Sequence, residues 1–363
     1  MYQLAGEDKL SNIIYYVYPQ HHDVSFKFVA KEHIKMLREK YTVYEIPALS
    51  FYQFTPFRYP ISIIHPFFYS MWHWGKVEFS FFEQYRSKVS QIIGVEVADS
   101  DRISEKFIDY ANNYADRLIG NSEWTVNAFK NSGLKIPIYK VVHNFNERLL
   151  AKDNELKIDE QVKYIEKVKN EKKIKLIMIS LWHSDFRKGA DLFHAIARQL
   201  QKERDDIYFL VKSGGPRTDF QDLRMFNFTG NTDFDNIVKM YRISDLYLLT
   251  SRGGSFELNG LEAFISKIPT IATKGGAWEE YFPSQLKDLL VDSCRFPDVL
   301  WNNPIHIGQG VEMCMDKAVE KILEVLDNLD NYKAKIEENY NFWLENFSYN
   351  AVKKQLFNTL EKS

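Results

Sequence analysis

Fourteen consecutive residues, Thr250 to Ala263 (TSRGGSFELNGLEA), combine the types that a phosphate-bearing ligand requires. Gly253 and Gly254 permit positive φ and a close backbone approach. The stretch follows an apolar run, Leu246–Leu249, and opens a helical pattern. N–H groups from Leu258 to Leu261 would then face outward at a helix N-terminus as an anion site. One turn in, the Glu262 carboxylate could accept hydrogen bonds from vicinal hydroxyls such as those of a ribose. The plainer reading is a glycine turn and an acidic first turn that complements the helix dipole. These residues alone do not separate the two.

The elements that must position this loop are legible from pattern. Ile13–Tyr18, stopped by Pro19, reads as a buried strand, and Phe26, Val29, Ile34 and Leu37 follow at helical spacing. Further strands are expected at Thr42–Ile46, Ile61–Ile64, Val89–Val97, Arg117–Ile119 and Tyr139–Val142, with helices at Ser104–Asn113 and Glu123–Asn131. From Lys152 to Lys173, 13 of 22 residues are charged with mixed sign, which suggests a solvated linker helix. Alternation then restarts with strands at Ile174–Ser180, Ile207–Val211, Leu246–Leu249 and Pro269–Thr273. Helices are expected at Gly189–Lys202, at Phe234–Tyr241 and from Gly260. Strands alternating with helices imply two doubly wound α/β halves, with ligands beyond the carboxyl ends of the strands.

Composition narrows the classes. The 363 residues suit about two domains at roughly 150 residues each. A net charge of −2 gives no global attraction to nucleic acid or to an anionic membrane. Two cysteines, Cys294 and Cys314, are too few for a disulfide framework and suit a reducing cytoplasm. No apolar run approaches a membrane span, and the acidic residues near Met1 argue against a signal peptide.

The motifs flanking the glycine loop decide between its two readings. Phe228-Thr229-Gly230, Tyr241-Arg242-Ile243-Ser244-Asp245, the loop itself and Pro269-Thr270-Ile271-Ala272-Thr273-Lys274-Gly275-Gly276 occur in that order. Upstream lie Lys188-Gly189-Ala190-Asp191-Leu192 and Val211-Lys212-Ser213-Gly214-Gly215-Pro216. Asn121-Ser122-Glu123, Ser132-Gly133-Leu134 and Val141-Val142-His143-Asn144 precede these. The series resembles the retaining GT-B-fold glycosyltransferases of group 1, whose signature includes F-x-G, K-G-x-D-L and an E-x7-E pair. It spans roughly residues 95 to 280 with the order kept. The chain departs from that pattern at Gly254, where the family has its first glutamate, and at Glu257, where it has a glycine. A glycine-rich loop after the first strand is replaced by Pro19-Gln20-His21-His22.

The resemblance implies a GT-B fold, two facing Rossmann-like domains with a cleft between them and a C-terminal crossover helix. Residues 1–150 would form the acceptor side, 151–173 the linker and 174–340 the nucleotide-sugar side, with helix 341–363 returning to the first domain. It implies transfer from a UDP- or GDP-sugar to a glycan, lipid-linked or protein acceptor, with retention and without a metal or other cofactor. Lys188 and Arg187 would neutralise the diphosphate, and either Glu257 swings in to hold the donor sugar or that contact is lost. Gly214, Gly254, Ser255, Phe256, Leu258, Asn259 and Glu262 would line the donor site, and His65, Glu96 and Asp99 the acceptor side. Two alternatives stand beside this: a metal-dependent transferase using Asp99 and Asp101, and a catalytically silent sugar-nucleotide or glycan-binding protein. Phe51 to Phe82 holds 13 aromatics in 32 residues. That segment could be aromatic core with a homodimer surface, a sugar-stacking platform or a peripheral membrane wedge.

Overall fold

The computed structural model describes residues 12–21, 24–49, 53–72, 79–182 and 184–361. His22 and, within the aromatic segment, residues 51–52 and 73–78 lie outside them. The first sheet comprises β1 (Ile13–Tyr18), β2 (Thr42–Pro47), β3 (Ile61–Ile64), β4 (Gln91–Glu96), β5 (Arg117–Gly120) and β6 (Ile138–Lys140). They are parallel, in the order β2-β1-β3-β4-β5-β6. The second sheet comprises β7 (Lys175–Leu181), β8 (Ile207–Ser213), β9 (Met225–Thr229), β10 (Leu246–Leu249), β11 (Thr270–Thr273) and β12 (Leu290–Val291). It too is parallel, in the order β12-β11-β10-β7-β8-β9. The fold is GT-B. A short antiparallel pair, β13 (Ser293–Arg295) and β14 (Glu312–Met313), stands apart from both sheets.

The central strands are apolar at successive positions because helices cover both faces of each sheet. All four residues of β3 and of β10 are buried. The helix Ala190–Glu203 shows the complementary pattern, with Leu192, Phe193, Ile196, Ala197 and Leu200 buried on one stripe. Strand order reverses between β7 and β10 in one sheet and between β1 and β3 in the other. Such reversals open a crevice at the carboxyl ends, because the two connecting chains leave in opposite directions. The loops after β7 and β10 carry Arg187, Lys188 and the glycine stretch, so the second crevice is where the chemistry-bearing residues converge.

Two segments differ from their sequence reading. The charged stretch is not merely solvated, because its helix Glu160–Lys172 buries Val162 and Ile165. The preceding Asp159 N–H is tied to Asn236 Oδ1 of the second half at 2.9 Å. The aromatic segment divides between core and surface: Phe67 and Phe68 are fully buried, while Phe54, Phe57 and Tyr59 are exposed.

The C-terminal chain crosses between the halves. Trp343 stacks on Phe264, centroids 4.9 Å apart, and its Nε1–H donates to Tyr281 O at 2.8 Å, both in the second half. The Phe145 N–H then takes Phe347 O at 3.1 Å. The last helix, Tyr349–Glu361, is fastened to the first half. Tyr349 Oη and Lys353 Nζ both donate to Glu39, and Arg117 Nη1 donates to Thr359 O at 2.8 Å. Leu356 and Val352 are fully buried beneath it. Leu356→Ala should therefore lower stability by about 2–5 kcal/mol, the range for a core leucine truncated to a cavity. Urea denaturation checks this; a midpoint equal to wild type would show the crossover packing to be dispensable.

Candidate active site

Backbone contacts first fix the two loops at the β7–β10 crevice. After β7 the chain makes one helical turn, Asp185–Lys188, and leaves it through Gly189 at φ 70°. A Cβ at Gly189 would stand 2.1 Å from Thr250 O, so only glycine lets the loops approach. They are joined by the Arg252 N–H to Arg187 O at 2.7 Å and Thr250 Oγ1 to Lys188 O at 2.9 Å. Glu257, the residue before the helix Leu258–Ile265, is held in the left-handed region at φ 61°. That conformation costs a non-glycine residue about 1–3 kcal/mol and persists only where surroundings impose it. Tyr281 Oη and the Gly260 N–H, both donating to Glu257 O, are part of those surroundings.

This geometry aims the Glu257 carboxylate back into the crevice. Oε2 lies 2.5 Å from Lys188 Nζ and Oε1 lies 3.4 Å from Arg187 Nη1. Arg187 also donates to Gly253 O at 2.9 Å and lies 3.7 Å from Asp99 Oδ1 of the first half. Burial works against the Arg187 charge, yet the Asp99 and Glu257 carboxylates hold its pKa above the ordinary value. Burial lowers the Lys188 pKa, with Glu257 opposing it. A Cβ on Gly254 would meet Glu257 Oε1 at 2.2 Å. The Glu257 carboxylate thus fills the space into which a side chain at position 254 would project.

Other donor-side candidates separate into those that face the crevice and those that do not. Glu262 is partly buried and accepts from Tyr241 Oη at 3.0 Å; burial pushes its carboxyl up to about 7. Leu258 and Asn259 occupy the first turn, where a helix leaves N–H groups over. Ser255 Oγ is taken by Asn121 Nδ2 across the cleft at 2.8 Å. Phe256 is a correction: its side chain is buried between His143, Tyr281 and Phe347, leaving only its backbone to a ligand. Gly214 lies against Trp182, whose carbonyl would be 2.9 Å from a Cβ there.

On the first half, Asp99 faces the cation pair, but its two companions are closed off. Glu96 is buried, accepting the N–H groups of Phe68 (2.6 Å) and Val97 (2.9 Å); burial pushes its carboxyl up to about 8. His65 is also buried, 3.2 Å from Tyr16 Oη and stacked on His33, and burial holds its pKa well below the usual value. It belongs to the core rather than to an open acceptor surface. Asp101 does not pair with Asp99: its Oδ1 accepts the Gln309 N–H at 2.7 Å. The two carboxylates of the D-x-D thus serve different contacts, Asp99 with Arg187 and Asp101 with the Gln309 backbone.

Two features escape the sequence reading. Asn121 joins the halves through Ser255 at 2.8 Å and, within the first half, lies 3.0 Å from His143 Nε2. The segment between β13 and β14 leaves the second half and docks on residues 99–104 of the first. It bridges Ile103 to His306 and gives Ile305 O to the Ser104 N–H at 2.9 Å. Cys294 and Cys314, bonded to each other with Cα atoms 5.0 Å apart, close its base. One bond is not a framework, but it removes the cysteine support for a reducing compartment.

The comparisons agree with this fold. Residues 173–300 match the family Glycosyl transferases group 1. The chain is 76% identical over 353 residues to "Uncharacterized protein 356" of Sulfolobus islandicus rod-shaped virus 1, covering 97% of this chain and 99% of that one. A Sulfolobus islandicus filamentous virus protein with a provisional glycosyltransferase name is 26% identical across 68% of this chain and 69% of its own. Among solved structures, Thermosynechococcus elongatus sucrose-phosphate synthase superposes with a TM-score of 0.68 at 11% identity, over 96% of this chain and 98% of that one. Anabaena HepE in complex with UDP does so at 0.66 and 10% identity, over 97% and 100%.

Glu262 makes the site's pH response testable. Its folded pKa, about 7, lies above the ordinary 4.5. Between those values the unfolded chain gives up a proton that the folded chain keeps, so this group's contribution falls as pH rises and levels off above about 7. Glu262→Gln removes the effect. The variant's Tm relative to wild type should therefore climb from about pH 5 to about pH 7.5 in thermal unfolding. A difference that stays constant with pH would show that the carboxyl is ionised throughout.

Proposed function

We propose that this chain, which belongs to one family with the rod-shaped-virus protein 356 and is a GT-B glycosyltransferase, takes its sugar from a nucleoside diphosphate donor. The observation that carries this reading is the position of Glu257, Lys188 and Arg187 together at the β7–β10 crevice, beside a helix N-terminus. A diphosphate is the ligand whose charge matches two convergent cations and free N–H groups. HepE, a structural neighbour, has been captured with UDP. In this reading Lys188 and Arg187 take up the charge that develops on the leaving diphosphate, worth most in a water-poor site. Leu258 and Asn259 offer their N–H groups to phosphate, and Glu262 accepts from ribose hydroxyls. Glu257 holds hydroxyls of the transferred sugar, in the role the related enzymes give to a glutamate at position 254. Sugar hydroxyl contacts that tighten in the transition state contribute several kcal/mol in glycosyl chemistry. Transfer proceeds with retention to a glycan, lipid or protein acceptor, and needs no divalent ion.

Thermal shifts with UDP, GDP and ADP sugars test the donor assignment, since a ligand at 100 times its Kd adds about 2.7 kcal/mol to apparent stability. Lys188→Ala should lower turnover by about 10²–10³. Glu257→Gln should depress kcat more than it raises donor KM, the mark of a contact made chiefly in the transition state. Near-wild-type kinetics in both variants would remove the donor-site assignment. Activity should also survive EDTA; loss on chelation with recovery in Mn²⁺ would place a metal in the reaction.

A further inference from the structure

The segment from Phe296 to Gly310 forms a strap that leaves the second half, docks on the first and turns back. Its inner side is anchored: Val299, Ile305 and His306 are buried, and the Asp99 N–H donates to His306 Nδ1 at 3.4 Å. Asn303 accepts the N–H groups of Ile305 and His306, both at 2.9 Å. The strap therefore stands firmly beside the carboxylate that faces Arg187.

Its outer side is the reverse. Trp301 is 76% exposed, the most exposed of the large apolar side chains among the described residues. The ring is nevertheless held in place: its Nε1–H donates to Asp298 O at 3.0 Å, and its centroid is 5.8 Å from that of Phe186. Phe186 is itself 40% exposed, adjoins Arg187 in the sequence and is backed by the Arg252 guanidinium 4.2 Å from its centroid. Two fixed aromatic rings therefore stand open to solvent where the strap of one loop meets the cation-bearing helix of another. Soluble proteins rarely leave such a surface bare without a ligand for it.

The charge of the strap selects among ligands. From Phe296 to Gly310 the only Asp, Glu, Lys or Arg is Asp298, and the strap's other polar side chains are the amides of Asn302, Asn303 and Gln309 and the buried His306. An anionic membrane or nucleic acid would call for exposed, unpaired lysines and arginines beside the rings, whereas Arg187 and Arg252 are buried and paired with carboxylates. Amides donate and accept alike, as do sugar hydroxyls, and a flat ring receives the apolar face of a pyranose.

We propose that Trp301 and Phe186 form a stacking platform for a neutral sugar ring of the acceptor, at the point where the strap meets the catalytic helix. The proposal rests on the glycosyltransferase reading and adds the acceptor's chemical class, a neutral glycan. It also assigns part of acceptor recognition to the second half, which the sequence reading gave wholly to donor binding.

The test uses the full chain on an array of immobilised neutral oligosaccharides, with UDP present and absent. Wild type should bind a subset of them. Trp301→Ala should weaken that binding at least tenfold, while Trp301→Phe, which keeps a ring, should retain most of it. The Tm rise on adding UDP should be the same in Trp301→Ala as in wild type. Because Trp301 is exposed, its truncation leaves the core intact. Array binding by Trp301→Ala equal to that of wild type would overturn the proposal. So would a wild-type chain that binds no neutral oligosaccharide, or that binds phosphatidylglycerol vesicles through Trp301 instead. A wild-type chain with no Tm response to UDP, GDP or ADP sugars would count against the donor reading, which separates the two failures.

Discussion

The Glu257 carboxylate, 5% exposed and 2.5 Å from Lys188 Nζ, keeps its charge out of water only while cations face it, and the crevice is built around that requirement. Removing one partner of a buried pair typically costs 3–5 kcal/mol, because the remaining charge is left uncompensated. The left-handed backbone at Glu257, the absent side chain at Gly254 and the close approach at Gly189 all serve this contact. Arg187 extends it to Asp99, so a charge network that begins in the second sheet ends on the first.

Contacts between the halves then follow from sequence-distant segments rather than from the sheets. Asn121 meets Ser255 at one point, and Lys140 meets Glu280 at 2.5 Å at another. The strap docks beside Asp99, and the last helix returns to Glu39 and Arg117. The contacts at Asn121–Ser255 and Lys140–Glu280 are single polar ones, whereas the strap is seated by the buried Val299, Ile305 and His306. The apolar burial of Leu356 and Val352 does the same for the last helix, fastening it to the first half.

Much of this fold was legible because its signals are local. A helix at Glu123–Asn131 and a strand at Leu246–Leu249 have the observed bounds, since apolar runs and helical spacing need only their own residues. β12, β13 and β14 have two or three residues each, too few to show a period. The site was legible where neighbours in sequence are neighbours in space, as with Arg187 and Lys188. It was not legible at Asn121–Ser255, a contact between residues 134 apart. His65 and Phe256 show a further limit. A histidine after a strand, or a phenylalanine in the loop before a helix, reads alike whether it opens to the cleft or closes on Tyr16 or Tyr281, and only burial separates the cases.

The departure at Gly254 and Glu257 gains its meaning from charge. Without a ligand, Arg187 and Lys188 face Asp99 and Glu257, two positive groups against two negative ones, so the crevice is neutral. A diphosphate that reaches Lys188 would exchange with the Glu257 carboxylate rather than add to a positive field. The Glu257 carboxylate stands in the space beside Gly254, 2.2 Å from where a Cβ there would be, and reaches both cations only because position 254 carries no side chain. Placing the acid at 257 rather than at 254 therefore keeps both buried cations paired with carboxylates across the crevice.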